Sequence, residues 1–377
     1  MINIFDLYTD YLQVSLGLAT ATNLSEIVDK DVSHDQVTRM LASLECTSKS
    51  LWKIVKPLVR QHESQDACLI FDDSIIHKPH TDENDINCYH YDHCQGRNVK
   101  GMNILTMFCH TQSGEQALRV PIAFDIIRKP EFSCDIESKK VKRKSQITKN
   151  ELMRAQIAQA IKNSVLFSYV LADSWFSSSE NMKFIHEKDK YFIFDLKTNR
   201  LAIIGDRNKG HWNNINKLEL QPWTPTKVWL KDVELEILLI KQVFKNKDGS
   251  IGVRYLASNN LNLTSDDFTN IYKKRWSVEE YHKSFKQNTC MTKSPTRTVQ
   301  TQCAHVFASI VSYIKLEKYK FSSKLNHFAL RGKLLINAAK AALNELQLIK
   351  LQLTEFESLA HAAVSYTHLT LPTILLV

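Results

Sequence analysis

The chain has 377 residues, 44% of them hydrophobic and 24% charged, with a formal net charge of +9. That composition excludes a disordered protein, and the length allows more than one domain around a sizeable core. The sequence has no uninterrupted apolar run of about 20 residues and no basic segment leading into an apolar one at MINIFDLYTDYLQ, which argues against membrane insertion and secretion.

Eight scattered cysteines read as reduced thiols of a cytoplasmic protein and not as a disulfide framework. The positive surplus suggests an anionic partner.

Residues 1–65 read as short helices. In SEIVDKDVSHDQVTRMLASL two helical patterns flank Asp31-Val32-Ser33, and Ser33 is placed to cap a second helix from His34 to Ser43. The spacing fits a DNA-binding helix-turn-helix presenting His34, Gln36, Thr38 and Arg39; a plain helical pair is the alternative.

Strand patterns begin at Ala67. ACLIFDDS is a short apolar strand closing on Asp72 and Asp73. NVKGMNILTMFCHT and ALRVPIAFDIIRK form a hairpin turning at Gln112-Ser113-Gly114. The basic run KKVKRK leads into a helix, NELMRAQIAQAIKN; a strand follows, VLFSYVLADSWFSS, closing on Asp173. A further helix, SSENMKFIHEK, precedes the strand KYFIFDLKTN.

From about 198 to 262 the chain reads as a β-rich insertion containing Trp212, Trp223 and Trp229, with a turn at Asn246-Lys247-Asp248-Gly249. A helix is expected over 266–287, within a catalytic region of 66–330. A helical C-terminal region follows at 331–362. Residues 363–377, ending HLTLPTILLV, break the chain's trends and read as a tail foreign to the fold.

On the 266–287 helix, Tyr272, Arg275, Glu279, Lys283 and Lys286 share one face. Taken alone this is a solvated face laced with ion pairs. The alternative is a carboxylate kept ionised beside phosphate by cations one turn to either side. Glu280 points about 100° away and is the weaker candidate. Cys88, His90, His93 and Cys94, with His77 and His80 before them, have zinc-ligand chemistry without zinc-finger spacing, so a loop or strand pair near the active site competes with a structural zinc.

The spacing Tyr272, two residues, Arg275, three residues, Glu279, six residues, Lys286 resembles the signature helix of bacterial insertion-sequence transposases of the DDE class. LIFDDS resembles their first catalytic strand, with Asp73 chosen over Asp72 because Ser74 follows it; LADSWFSS resembles the second acid site at Asp173.

The resemblance implies an RNase H-like mixed sheet flanked by helices, with a β-rich insertion before the last catalytic helix. It also implies a triad of Asp73, Asp173 and Glu279 holding two Mg²⁺ ions, with Mn²⁺ as a substitute, for cleavage at transposon ends and strand transfer. Tyr272, Arg275 and Lys286 would contact phosphates near the cleaved end, and Lys283 shares their face. Trp212, Trp223 or Trp229 would stack an extruded base, with core packing as the alternative for each. The partners implied are double-stranded DNA, as terminal inverted repeats and target, and a second copy of the chain in a synaptic dimer. An inactive DNA-binding derivative and a host nuclease of the same fold are the competing functions.

Overall fold

Four capped helices open the chain: α1 (Ile4–Val14), α2 (Ala21–Ile27), α3 (His34–Ser43) and α4 (Ser48–Gln61). The side chains of Asn3, Thr20, Ser33 and Thr47 each accept a backbone N–H of the first turn, satisfying donors that the helix itself cannot pair. Ser33 caps α3 as its sequence suggests, in a reciprocal box with Gln36. The computed structural model describes residues 2–367 except 94, 114, 115, 135–140, 209 and 210. They fall into two compact units, Met1–His327 and Phe328–Val377.

After α4 come β1 (Cys68–His77), β2 (Cys88–Asp92), β3 (Arg97–Ser113), β4 (Gln116–Ile126), β5 (Glu131–Cys134) and β6 (Val141–Lys144). Then follow α5 (Lys149–Lys162), β7 (Tyr169–Ala172), α6 (Ser179–Glu187) and β8 (Tyr191–Asp195). β9 (Leu201–Ile204), β10 (Asn213–Asn214), β11 (Thr226–Leu230), β12 (Glu236–Lys245) and β13 (Ile251–Ser258) lead to α7 (Ser265–Lys273) and α8 (Trp276–Asn288). α9 (Val299–Ser323) and α10 (His327–Thr367) complete the described chain.

One mixed sheet organises the first unit. Its central order is β4-β3-β1-β7-β8: β3 is antiparallel to β1 and β4, and β1, β7 and β8 run parallel. Parallel neighbours require crossovers, supplied here by the helices α5 and α6. The sheet is buried on both faces, and β1 accordingly reads Cys68-Leu69-Ile70-Phe71 with no exposed side chain. This is the expected RNase H-like arrangement.

The β-rich insertion is not a detached module. β13 pairs antiparallel with β8, so β10-β9-β11-β12-β13 extend the same sheet. The β12–β13 hairpin turns at Gly249, whose φ of +83° suits a residue without a Cβ.

The N-terminal helices belong to the first compact unit. Tyr8, Leu12, Val37 and Leu41 form one buried cluster with Ala304 and Ala308 of α9. The same α9 carries Phe307 and Ile310 into the main core, so one helix serves both clusters. His34, Gln36, Thr38 and Arg39 remain exposed on the outer face of α3.

Two expectations change at the helix level. The 266–287 segment is two helices: Arg275 and Val278 N–H groups bond back three residues, to Tyr272 and Arg275, and this tightening separates α7 from α8. The C-terminal helix starts at His327 and runs to Thr367, so it takes in the first residues of the segment read as a foreign tail; 368–377 lie outside the described residues. Considered by itself, α10 exposes Leu334, Leu343, Leu346, Leu351 and Leu353.

Candidate active site

The strands place the acids. β1 does not end at Asp72 and Asp73, as the apolar run suggested, but continues to His77 because β3 pairs with it along its whole length. On the other side the parallel partner stops earlier: the last β1–β7 pair is Phe71 with Ala172. Asp72 and Asp173 are therefore the next residues of two parallel neighbours, at the point where the strands part. A crevice beyond the carboxyl ends of parallel strands is where open α/β sheets bind ligands.

The same register extends once more. β7 pairs with β8 up to Ala172 with Phe194, which brings Asp195 level with Asp173. Three carboxylates, Asp72, Asp173 and Asp195, stand in a row across β1, β7 and β8, level with the ends of β7 and β8.

Electrostatics follow this row. Burial raises the Asp173 carboxyl above its ordinary value, the Asp72 carboxylate adds to the rise, and Asp73 contributes less. Asp195 is pushed up to about 6, first by burial, with Asp173 also raising it while Arg254 and Arg275 counteract. Asp173 Oδ1 accepts the backbone N–H of Trp175 at 2.9 Å, which fixes one of its oxygens.

Neighbouring residues of a strand point to opposite faces, and the two acids of β1 have different partners. Asp72 Oδ2 lies 3.6 Å from His282 Nε2 of α8 and feels the Arg275 guanidinium. Asp73 is ion-paired to Lys149 of α5 at 2.7 Å and accepts a hydrogen bond from Asn103 of β3 at 2.8 Å. The structure thus brings Asp72, and not the sequence choice Asp73, beside Asp173 and the Glu279 helix. Ser74 could not reveal this, because strand register is a pairing property that a local motif does not contain.

Glu279 lies in the first turn of α8, where its charge suits the helix dipole. Its side chain is 40% exposed and paired with Arg275 at 3.5 Å. Arg275 is mostly buried; burial works against its charge, but the oxygens of Tyr272, Asp72, Glu279 and Asp173 outweigh that and hold it ionised. Glu280 points elsewhere, to Arg119 at 2.6 Å.

Tyr272 departs from the expected surface role. It is 6% exposed, its hydroxyl donates to the Ala172 carbonyl at 3.4 Å, and burial pushes its pKa up. It anchors α7 to β7 directly before Asp173 while one ring edge reaches a groove of about 300 Å³. Phe244, Arg254, Arg275 and Trp276 also line that groove. Lys283 is exposed and Lys286 half-buried, one and two turns beyond Glu279 on α8.

Of the three insertion tryptophans, Trp223 reaches this groove through Phe244, with ring centres 5.4 Å apart and the Trp223 side partly open. Trp229 lies in β11 under the Arg207 guanidinium, and Trp212 is half-buried just before β10. Sequence reading missed Trp276, 62% exposed on the groove, and Trp175, 44% exposed beside Asp173. Trp175 follows Asp173 by two residues and Trp276 follows Arg275 directly, so an aromatic beside a candidate site residue was the available signal.

The described residues of the histidine–cysteine cluster form no cage. Cys88 Sγ and His90 Nε2 are 3.5 Å apart, burial drives His90 down to about 3, and Cys94 lies outside the described residues. Among the described residues no three His, Cys, Asp or Glu side chains are grouped to hold an ion.

The acid row itself offers a hard-oxygen pair, Asp72 and Asp173, in which each negative charge penalises the other. A divalent cation would relieve that penalty, and carboxylate oxygens are its natural donors. Glu279 is paired with Arg275 and is not grouped with the two aspartates, whose donor chemistry fits such an ion.

A mixed sheet with carboxylates where its parallel strands part, faced by a helix that carries Glu279, Lys283 and Lys286, is consistent with an RNase H-like transposase fold. The chain belongs to the family of transposase DDE domains, whose model matches residues 63–314. That family generally depends on divalent metal ions. No curated protein matches the chain. Among the described residues no helix is long and apolar enough to cross a membrane.

Proposed function

We propose that the protein is a transposase that cleaves DNA at the inverted repeats of its element and joins the freed ends to target DNA. The observation that carries this reading is the alignment of Asp72 and Asp173 at the parting of β1 and β7, faced by the α8 residues Glu279 and His282. Asp72, Asp173 and Glu279 would hold two Mg²⁺ ions, or Mn²⁺ in their place, with Asp73 displaced from the ligand set by its Lys149 ion pair. Bound there, two divalent ions would activate the attacking water or 3′-hydroxyl and stabilise the leaving oxygen.

The chain's own residues supply the rest. Arg275, held charged between Asp72 and Glu279, is placed to take the scissile strand's phosphate when Glu279 turns inward. Lys283 and Lys286 continue the cationic face along α8 toward neighbouring phosphates. His282 packs against Asp72 and limits its rotation. Tyr272 holds α7 against β7, and Trp223, Phe244 and Trp276 give the groove its aromatic walls for an extruded base. Trp212 and Trp229 are assigned to packing in the insertion. Arg39 and the exposed face of α3 would contact the outer part of the repeat, and a dimer would join two such ends in the cytoplasm of a bacterial cell.

The test incubates the full chain with Mg²⁺ and labelled DNA carrying the inverted repeats that flank its gene. Cleavage and joining are expected, with Asp72→Asn, Asp173→Asn and Glu279→Gln each reducing cleavage by at least about a hundredfold. Asp73→Asn should lose about tenfold, the lower end of what an outer ion-pair partner costs. Loss at Asp73 but not at Asp72 would reverse the assignment. Binding without cleavage would identify an inactive DNA-binding derivative, and cleavage without joining a nuclease.

A further inference from the structure

Beside the acid row lies a second aromatic surface, made of residues that do not line the groove. Trp175 follows Asp173 by two residues, and its backbone N–H is bonded to the Asp173 carboxylate, which ties the main chain that carries the indole to that acid. The ring remains 44% exposed. Lys149 Nζ lies 4.7 Å from its centre and Lys197 Nζ 5.5 Å. The His93 ring packs at 5.6 Å, and Tyr91, 53% exposed, meets His93 edge-on at 4.9 Å. Trp175, His93 and Tyr91 thus form a run of rings leading outward from Asp173, flanked by two ammonium groups.

Core packing does not explain this arrangement. An indole left this open forgoes much of the burial that makes tryptophan worth placing in a protein. Lys149 is already paired with Asp73, so it has no need of the ring for its charge. An open aromatic face with cations at its rim matches a nucleotide: the base stacks on the ring and the phosphates to either side meet the ammonium groups. The base must be unpaired, because in a duplex both faces of each base are already stacked.

We propose that Trp175, with His93 and Tyr91, forms a platform for unpaired nucleotides of the DNA strand at the reacting phosphate, and that Lys149 and Lys197 neutralise the adjoining phosphates. The proposal rests on the reading of the acid row as a DNA-cleaving site. It differs from the groove at Tyr272 and Trp276 in using the β2 end and the loop after β7. Trp175 acts by stacking, and Lys149 couples the platform to Asp73.

The full chain, without added metal, is titrated into fluorescein-labelled oligo(dT) of about a dozen nucleotides and into a labelled duplex of equal length, each followed by anisotropy. Trp175→Ala should weaken oligo(dT) binding roughly 5- to 150-fold, the effect of removing one base–aromatic stack. Duplex binding should change less than about twofold, and Trp175→Phe should retain most of the affinity, since any ring offers a π-face. With 2-aminopurine replacing one base of the single strand, the wild-type chain should quench its fluorescence and Trp175→Ala should not.

Equal losses on both DNAs, unchanged oligo(dT) binding in Trp175→Ala, or no oligo(dT) binding by the wild type would each overturn the platform. Should Trp175→Ala unfold, Trp175→Phe and Trp175→Leu decide the matter, because only the former keeps a ring. Wild-type cleavage of repeat DNA with no Trp175 effect sinks the platform alone. Stacking without any Mg²⁺-dependent cleavage sinks the transposase reading and leaves the platform standing.

Discussion

Asp195 shows how a single side chain reports on the site. Its carboxyl is raised to about 6 mainly by burial, so the folded protein holds the proton more tightly than the unfolded chain does. By linkage, the stability tied to this group is fully present below about pH 4 and is lost as the pH rises through about 6. Asp195→Asn should therefore raise stability at pH 7, by on the order of 2 kcal/mol after discounting for partial solvation, and flatten the Tm profile between pH 4 and 6. Thermal melts in metal-free buffer check this; a variant that melts lower than wild type at pH 7 would contradict it. Glu317 is the opposite case. Burial alone would raise its pKa, but hydrogen bonding from His327 and the Lys320 charge overcome burial and lower it. Its stabilisation is present above the ordinary glutamate range and fades as the pH falls below it.

Single elements rest on a few such points. Glu317 sits 1% exposed in α9, where it binds His327 Nε2 at 2.9 Å and accepts the Arg119 backbone N–H of β4 at 3.0 Å. Glu317→Ala strands these partners in the interior and should cost about 3 kcal/mol or more, readable as a lower urea midpoint at pH 7. In β3, Gly101 faces His77 across one ladder and Cys88 across the other. A Cβ added there would stand 2.3 Å from the Ile76 carbonyl oxygen, a backbone atom that cannot swing aside. Gly101→Ala should force β3 away from β1 and lower Tm by several degrees, on the order of 1–3 kcal/mol of overpacking. An unchanged Tm would show that the strands shift freely. The break between α7 and α8 belongs to this scale as well: it lets Tyr272 sink toward β7 while Glu279 stays open.

Across the molecule, the sequence carried the strand and helix order well because apolar runs with turn residues between them mark those elements locally. The β3–β4 hairpin, α5, β7, α6 and β8 follow that reading in order. The place of Asp173 just past a strand and of Glu279 on a helix was legible from short motifs, and the β-rich insertion from its alternating pattern. Which of Asp72 and Asp73 stands level with Asp173 was not, since it depends on where β7 stops pairing with β1. Asp195 escaped for the same reason: YFIFD ends on an acid just as the other strands do, yet its level with Asp173 is set by the β7–β8 register. Tyr272 was misplaced because an unbroken helical wheel assumes a regular turn at Lys274, where the hydrogen bonds tighten.

The continuity of the sheet also governs how the protein meets other copies of itself when it is cut down. Its terminal strand on the insertion side is β10, a mere Asn213–Asn214, too short and polar to recruit a stranger. Excising β9 to β13 behind a short linker would instead lay bare β8, whose Phe192, Ile193 and Phe194 are wholly buried and whose backbone pairs with β13. An apolar border of that kind templates intermolecular pairing. The trimmed protein should sediment as large aggregates, and a monodisperse, soluble product in size-exclusion chromatography would show that the border is shielded some other way. The insertion is thus also the sheet's hem, and its loss would be felt first as insolubility and only afterwards as inactivity.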